Sequence, residues 1–517
     1  MTNISYPSFS KIIFFAFFIL YLAAGWYITS YLNIYYNDTA SRTANAFFTV
    51  FGRDPHLAAI GFVWLPLPSL LQIPLLLILY NVGLQMLSGP IITSFWGALS
   101  VVMVYKISLL LSAGKRSPLS LVVSFLYGIN PMILLYVAIG SSETIFISSL
   151  LLFSYFFLKW YLQLGIFNLA LAAFALVMAF GSRYEAIPVF IAGIILILAV
   201  ELSIKSPFRK IQAIVMLFGL PFMYACVLWL LANWVIKGDP LYFLSGPYSN
   251  SSYTNGLSQN SALLENSYHS LYSSSLYAFK RILLLAPGLV LFPLILLPFN
   301  KNRNRYLNNR LLIIILVAPY FSILAFHILQ LYAGQSFGWL RFFMYSQLAL
   351  TLTALYAVNT HKVVRYFLII SLFFGFITTG YAMGDYNYGK EEKSFVTKIE
   401  NNRITLDYSR TYSDQKAVAA FMNSKKGKIL LDTSDGFAIP LFSRNPQQYV
   451  ITSDVDFLSL LKNYKHSADW IIIPDPDFGN SKKNIITTEY PNIGEGELPS
   501  TQLYASIDDW KIYRVIK

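Results

Sequence analysis

Residues 64–81 read Trp-Leu-Pro-Leu-Pro-Ser-Leu-Leu-Gln-Ile-Pro-Leu-Leu-Leu-Ile-Leu-Tyr-Asn, and whether they cross a bilayer decides how the rest of the chain is arranged. The stretch is apolar enough to span. It is one of twelve such candidates, which begin near Ile12, Pro66, Ile91, Pro118, Ser142, Ile166, Ala186, Ile211, Ile282, Leu311, Arg341 and Val364. Its prolines oppose spanning. Pro66, Pro68 and Pro74 each remove a backbone donor, and an interior proline costs a helix about 3 kcal/mol. A juxtamembrane helix lying in the interface, with Trp64 at headgroup level, suits the stretch better.

The distribution of charge decides the same way. Suppose that the N-terminus is inside and all twelve segments cross. The inner loops then hold 6 Lys or Arg (Lys11, Arg183, Lys237, Lys280, Arg281, Arg341) and the outer loops 14, leaving aside the segment after 384. That reverses the positive-inside rule. If 66–81 stays outside, every later helix flips. The inner side then holds 13 (Lys11, Lys115, Arg116, Lys159, Lys205, Arg209, Lys210, Lys301, Arg303, Arg305, Arg310, Lys362, Arg365) against 7 outside. The sequence therefore predicts an α-helical polytopic membrane protein of about eleven transmembrane helices.

Composition agrees with this class. The 517 residues are 56% hydrophobic and 12% charged, where soluble proteins carry about 25% charged residues. The apolar runs are continuous, as helices require, and do not alternate as in a β-barrel. The net charge of +13 sits mainly in short loops between spans, where it orients the chain. No nucleic-acid partner is expected. The single cysteine, Cys226, excludes an internal disulfide and a cysteine-based metal site. The first run, Ile12 to Tyr31, is too long for a signal-peptide core and reads as a retained helix.

After Met383 the composition turns soluble. Short strand-like runs at 428–432, 449–452 and 469–474 alternate with helical stretches at 414–423 and 455–463, and 510–515 alternates like an edge strand. The expected organisation is a transmembrane domain over 1–384, with a first outer loop at 32–90, and an extracytoplasmic α/β domain over 385–517.

The charged residues near the membrane are the candidates for chemistry. Asp38 and Arg42 follow the first helix and stand four apart, a spacing that a surface ion pair explains equally well. As a function, Asp38 offers a carboxylate at the membrane surface, placed to act as a general base. His56 follows in the same loop, as a ligand contact or a solvated side chain. Glu143 opens a span, where the helix dipole favours it. Arg183 and Glu185 are squeezed into a turn between two spans, close to hydrocarbon, where charge is costly and often functional. His327 lies near the outer end of its span. Arg341 opens the next, where a guanidinium fits a lipid phosphate or pairs within the protein. With eleven spans all of these reach one membrane face; with twelve they split between two.

The order of these features resembles the GT-C superfamily of polytopic glycosyltransferases, which includes protein mannosyltransferases and lipid A aminoarabinose transferases. The similar features run over roughly residues 10–383. They are Asn37-Asp38 after the first helix, Trp64-Leu65-Pro66-Leu67-Pro68, Asn130-Pro131 followed by Glu143, Ser182-Arg183-Tyr184-Glu185, Gly238-Asp239-Pro240-Leu241-Tyr242-Phe243, and Arg341. The resemblance implies sugar transfer from a polyprenyl-phosphate donor to a hydroxyl of a lipid, glycan or protein, with inversion. Asp38 would be the base. Arg183 and Arg341 would stabilise the leaving phosphate, with Arg42, His56, Glu143, Glu185 and His327 around the donor. Some relatives use a divalent metal, for which Asp38 and Glu143 are the plausible ligands here. The chain departs from the pattern in three places. Asn37-Asp38-Thr39 stands where many relatives have Asp-Glu, an arginine is missing from 91–96, and the proline motif lacks its histidine. A transporter or flippase of a lipid-linked or small polar substrate is the alternative from another class, and a membrane anchor presenting the C-terminal domain is a third.

Overall fold

The structure is a computed structural model that describes residues 6–246, 249–254, 267–296, 310–361, 363–401, 409–475, 484–495 and 498–516. Lys301, Arg303, Arg305 and Lys362, four of the loop cations counted above, lie outside the described residues. The chain forms two compact units. The first comprises Met1–Ile34, Phe62–Pro68 and Gly89–Ser409, and the second Tyr35–Gly61, Ser69–Ser88 and Arg410–Lys517. The division differs from the boundary expected at 384/385. Most of the first loop belongs with the C-terminal sheet, whereas 385–409 belongs with the helices.

The first unit is built of apolar helices, as befits an integral membrane protein. Among the described residues seven are long and apolar enough to cross a membrane: Phe9–Tyr31, Gln85–Leu111, Ser142–Gln163, Ala186–Ser203, Phe208–Lys237, Arg310–Tyr332 and Val364–Gly384. Two further pairs raise the number to nine if each is one bent span. Pro118–Gly128 and Pro131–Ala138 meet at 51°. Pro131 cannot continue the first helix and starts the second, while the Asn130 side chain accepts from the Met132 amide at 3.0 Å. Leu271–Leu285 and the Pro287–Ile295 stretch meet at 107°, again at a proline. The helix Tyr345–Thr360 is buried from Tyr345 to Val358, as expected of a helix surrounded by others. The stretch 66–81 forms the short helices Leu67–Leu70 and Ile73–Leu79, which with the 3-10 turn Tyr80–Val82 make up a broken apolar helix, Leu67–Val82, shorter than the seven above.

The second unit is a five-stranded sheet covered on both faces. We number its strands β1 (Ile429–Leu431), β2 (Tyr449–Ile451), β3 (Trp470–Pro474), β4 (Thr501–Ile507) and β5 (Trp510–Val515). Their order is β2-β1-β3-β5-β4. β1 runs parallel to β2 and β3, and β5 is antiparallel to β3 and β4. The stretch 510–515, expected at an edge, is therefore an inner strand. Alternate residues of each strand point to opposite faces. Ile429, Leu431, Ile451 and Ile472 join one buried cluster with Phe47, Phe48, Leu76 and Ile439. Leu430, Val450, Ile471 and Ile473 join the other, with Phe457, Leu461 and Ile486. The helix Asn37–Phe51 and the segment around Leu76 thus help to cover the first face. Gln72 ties them together, its Oε1 accepting from Thr43 Oγ1 at 2.7 Å and Ser88 Oγ at 2.8 Å.

Candidate functional site

In the helical unit the charges gather at helix ends. Glu143 is in the first turn of Ser142–Gln163, Arg183 ends Ile166–Ser182, and Glu185 precedes Ala186–Ser203. Each charge therefore has the sign that its helix terminus favours. His327 lies near the end of Arg310–Tyr332, and Arg341 sits in the 3-10 turn Leu340–Phe343 just before Tyr345–Thr360.

These five expected residues converge on one another. Arg183 Nη1 donates to Glu143 Oε1 at 2.5 Å, and its Nε and Nη2 reach Glu185 Oε1 at 2.9 and 2.6 Å. Arg341 Nη1 lies 3.3 Å from the same Glu143 oxygen, and its Nε lies 3.1 Å from Glu391 Oε2. Ser141 Oγ donates to the other Glu143 oxygen. His327 is held between the rings of Phe342 and Tyr345, whose centroids are 4.8 and 6.1 Å away. Its Nδ1 meets Gln330 Oε1 at 3.2 Å, and its Nε2 is 3.8 Å from Glu185 Oε1.

Two acidic members of this network were not among the expected residues. Glu391 and Glu392 open the helix Lys390–Asn401. Tyr136 Oη donates to Glu392 Oε1 at 2.7 Å and lies 3.5 Å from Glu391 Oε2. By composition 385–401 belongs with a soluble domain, and Lys390-Glu391-Glu392-Lys393 looks like a solvated helix start. A pair of glutamates seven residues beyond a span was the available signal. Burial raises the Glu392 pKa above the ordinary carboxylate value, against the opposing pull of the Tyr136 hydrogen bond and Arg341. Four carboxyl groups thus surround two guanidinium groups, and Glu143 bridges both.

The other three expected residues belong to the sheet unit. The helix there begins at Asn37, with Tyr36 at its cap position. Asp38 is half-buried in the first turn, and its Oδ2 accepts from Tyr36 Oη at 3.3 Å. Arg42, one turn on, is buried. His56 Nδ1 meets the Asp54 carbonyl at 2.6 Å, so this ring nitrogen is engaged within its own loop. The neighbouring charges hold that loop to the sheet. Arg53 Nε donates to Asp454 Oδ2 at 3.0 Å and its Nη2 to Asp456, while Asp54 Oδ2 accepts from the Val455 amide at 3.1 Å.

The donor set expected for a divalent metal does not fit. Glu143, one of the two expected ligands, is taken up by Arg183, Arg341 and Ser141. Among the described residues no group of three or more His, Cys, Asp or Glu side chains is arranged to hold an ion. Comparison of the chain with models of known protein families and with curated proteins gave no match.

Proposed function

We propose that the protein transfers a sugar from a polyprenyl-phosphate donor to an acceptor hydroxyl at the outer face of a membrane. The observation that carries this reading is the convergence of Glu143, Arg183, Glu185, His327, Arg341, Glu391 and Glu392 in the helical unit. Every one stands at or near a helix end, which in a spanning bundle would bring it to the level of a lipid's phosphate. Eleven spans belong to the same proposal. They comprise the seven long helices, the two bent pairs, and Ile166–Ser182 and Tyr345–Thr360, of 17 and 16 residues. These last two would reach about 25 Å at 1.5 Å per residue, slightly less than the hydrocarbon thickness. The sheet domain then lies outside a cell membrane of prokaryotic type.

In this mechanism Asp38 takes the proton of the acceptor hydroxyl. The oxygen attacks the anomeric carbon opposite the phosphate, the glycosidic C–O bond to phosphate breaks, and the configuration inverts. One base suffices for such a displacement, unlike the carboxylate pair of most glycosidases. Arg183 and Arg341 stabilise the departing phosphate. Each already faces two carboxylates, so the phosphate must compete with Glu143 for their remaining donors.

The test is turnover of polyprenyl-phosphate sugars by the purified protein in lipid, wild type against Asp38→Asn. Loss of about 10²–10⁴-fold in a folded variant supports Asp38 as the base. Equal turnover removes it from that role. The two broken helices favour a second reading, transport, because discontinuous helices commonly build transporter sites. Counterflow of a labelled lipid-linked sugar without any transfer would select it.

A further inference from the structure

Arg281 lies mid-helix in Leu271–Leu285 and is buried, with 4% of its surface exposed. Its surroundings differ from those of Arg183 and Arg341. Its Nη2 donates to the Asn387 carbonyl at 3.1 Å and its Nη1 reaches the Tyr277 carbonyl at 3.5 Å. Its guanidinium lies 3.5 Å from the Tyr277 ring centroid and 5.7 Å from that of Tyr388. Its buried Nε has no hydrogen-bond partner. Among the described residues it forms no ion pair, and Glu392 acts on it only through space. A buried cation without an opposite charge is strongly disfavoured. Ring faces and carbonyl dipoles offset only part of that cost.

The geometry points to Arg281 as a binding residue for a phosphate group, held between the Tyr277 and Tyr388 rings. The free Nε beside an Nη is the edge with which guanidinium grips two phosphate oxygens. Tyr277 is fixed from behind, its Oη donating to the Gly338 carbonyl at 2.9 Å. Gly338 has φ +62°, and a Cβ there would meet that hydroxyl at 2.4 Å. The platform therefore depends on the glycine. That the phosphate belongs to a polyprenyl lipid rests on the donor reading above; the anion site itself does not.

The experiment uses the full chain in phosphatidylcholine nanodiscs and follows its thermal midpoint. The probes are a polyprenyl monophosphate, the matching polyprenol, inorganic phosphate, and discs containing phosphatidylglycerol. Polyprenyl monophosphate is expected to raise the midpoint and the polyprenol to leave it unchanged. Arg281→Gln should bind the phosphate about 10- to 100-fold more weakly, with a ligand-free midpoint no lower than wild type. Arg281→Lys keeps the charge without the fork and should lose about tenfold. It carries the test if the glutamine variant fails to fold. An Arg281-dependent shift with inorganic phosphate or phosphatidylglycerol alone supports the site and assigns it to a soluble anion or a bilayer headgroup. Arg281-dependent binding without sugar turnover leaves the site standing and removes the transferase reading. Equal shifts in wild type and the Arg281 variants overturn the site, as does the absence of a shift with every phosphate probe. A ligand-free midpoint lowered by Arg281→Gln and restored by lysine, with phosphate affinity unchanged, also overturns it.

Discussion

Replacing Glu143 with glutamine tests whether the buried network holds the helical unit together. The change keeps the side-chain volume and removes one charge. It weakens two charge-assisted contacts, with Arg183 at 2.5 Å and Arg341 at 3.3 Å. Hydrogen bonds to charged groups contribute about 1.5–3 kcal/mol each, and the longer contact falls at or below the low end. Neither arginine is orphaned, because Arg183 keeps Glu185 and Arg341 keeps Glu391. The cost should therefore fall short of the 3–5 kcal/mol of a buried pair broken outright, and we expect a loss of about 2–4 kcal/mol. Equilibrium unfolding in mixed micelles, followed by tryptophan fluorescence, measures it. Interhelical hydrogen bonds in membranes average only about 0.6 kcal/mol, because unfolded spans also find partners. A loss no larger than that would refute the idea that Glu143 bridges two buried cations. The double variant Glu143→Gln/Arg341→Met should cost less than the sum of its single changes by about 1 kcal/mol or more. Strict additivity would mean that the two side chains do not act on each other.

Glu392 gives a pH signature. Its pKa is raised in the folded protein, so the folded state binds that proton more tightly than the unfolded chain does. The resulting stabilisation is complete below the unfolded value, about 4.3, and is lost as pH rises through the folded one. Glu392→Gln should remove this fall and leave the protein relatively more stable at alkaline pH; parallel stability profiles would refute it. In the sheet unit, Gly427 has φ +110°, and a Cβ there would lie 2.4 Å from Asp469 Oδ2, which accepts from the Lys428 amide at 2.8 Å. Gly427→Ala should cost about 2–4 kcal/mol in denaturant unfolding, from strain and the displaced carboxylate; a change under 0.5 kcal/mol would mean that the turn adapts freely.

Much of the helical unit was legible because hydropathy and charge report on the solvent directly. The prolines at 66, 68 and 74 point to a broken stretch, and it forms helices of four and seven residues followed by the turn Tyr80–Val82. The eleven-span reading puts Glu143, Arg183, Glu185, His327 and Arg341 on one side, and these are the residues that meet. Glu391 and Glu392 escaped notice because burial by tertiary contacts leaves no mark on a four-residue window. The strands at 429, 449 and 470 were legible from their short apolar runs between polar residues. Residues 510–515 were misplaced because inner and edge strands can carry the same alternation, and the partner that covers β5, the exposed β4, has little apolar pattern of its own. The membership of 35–61 and 69–88 in the sheet unit was invisible for a different reason. Phe47, Phe48 and Leu76 look the same whether they face lipid or a sheet hundreds of residues away.

That last arrangement bears on how the protein is made. The sheet domain takes its parts from three stretches of chain, and two of them leave the ribosome before most of the membrane helices. Tyr412 Oη donates to Asn37 Oδ1 across 375 residues of sequence. At 5–20 residues per second, the helix Asn37–Phe51 waits about 20–75 s for the C-terminal part of the core that it joins. During that interval Phe47 and Phe48 have no sheet to bury them, and they need the bilayer surface or a chaperone as temporary cover. The converse holds for the tail. A fragment of 410–517 made alone would lack Phe47, Phe48 and Leu76 from one of its two buried clusters, so that side of the domain matures only after the whole membrane bundle has been threaded.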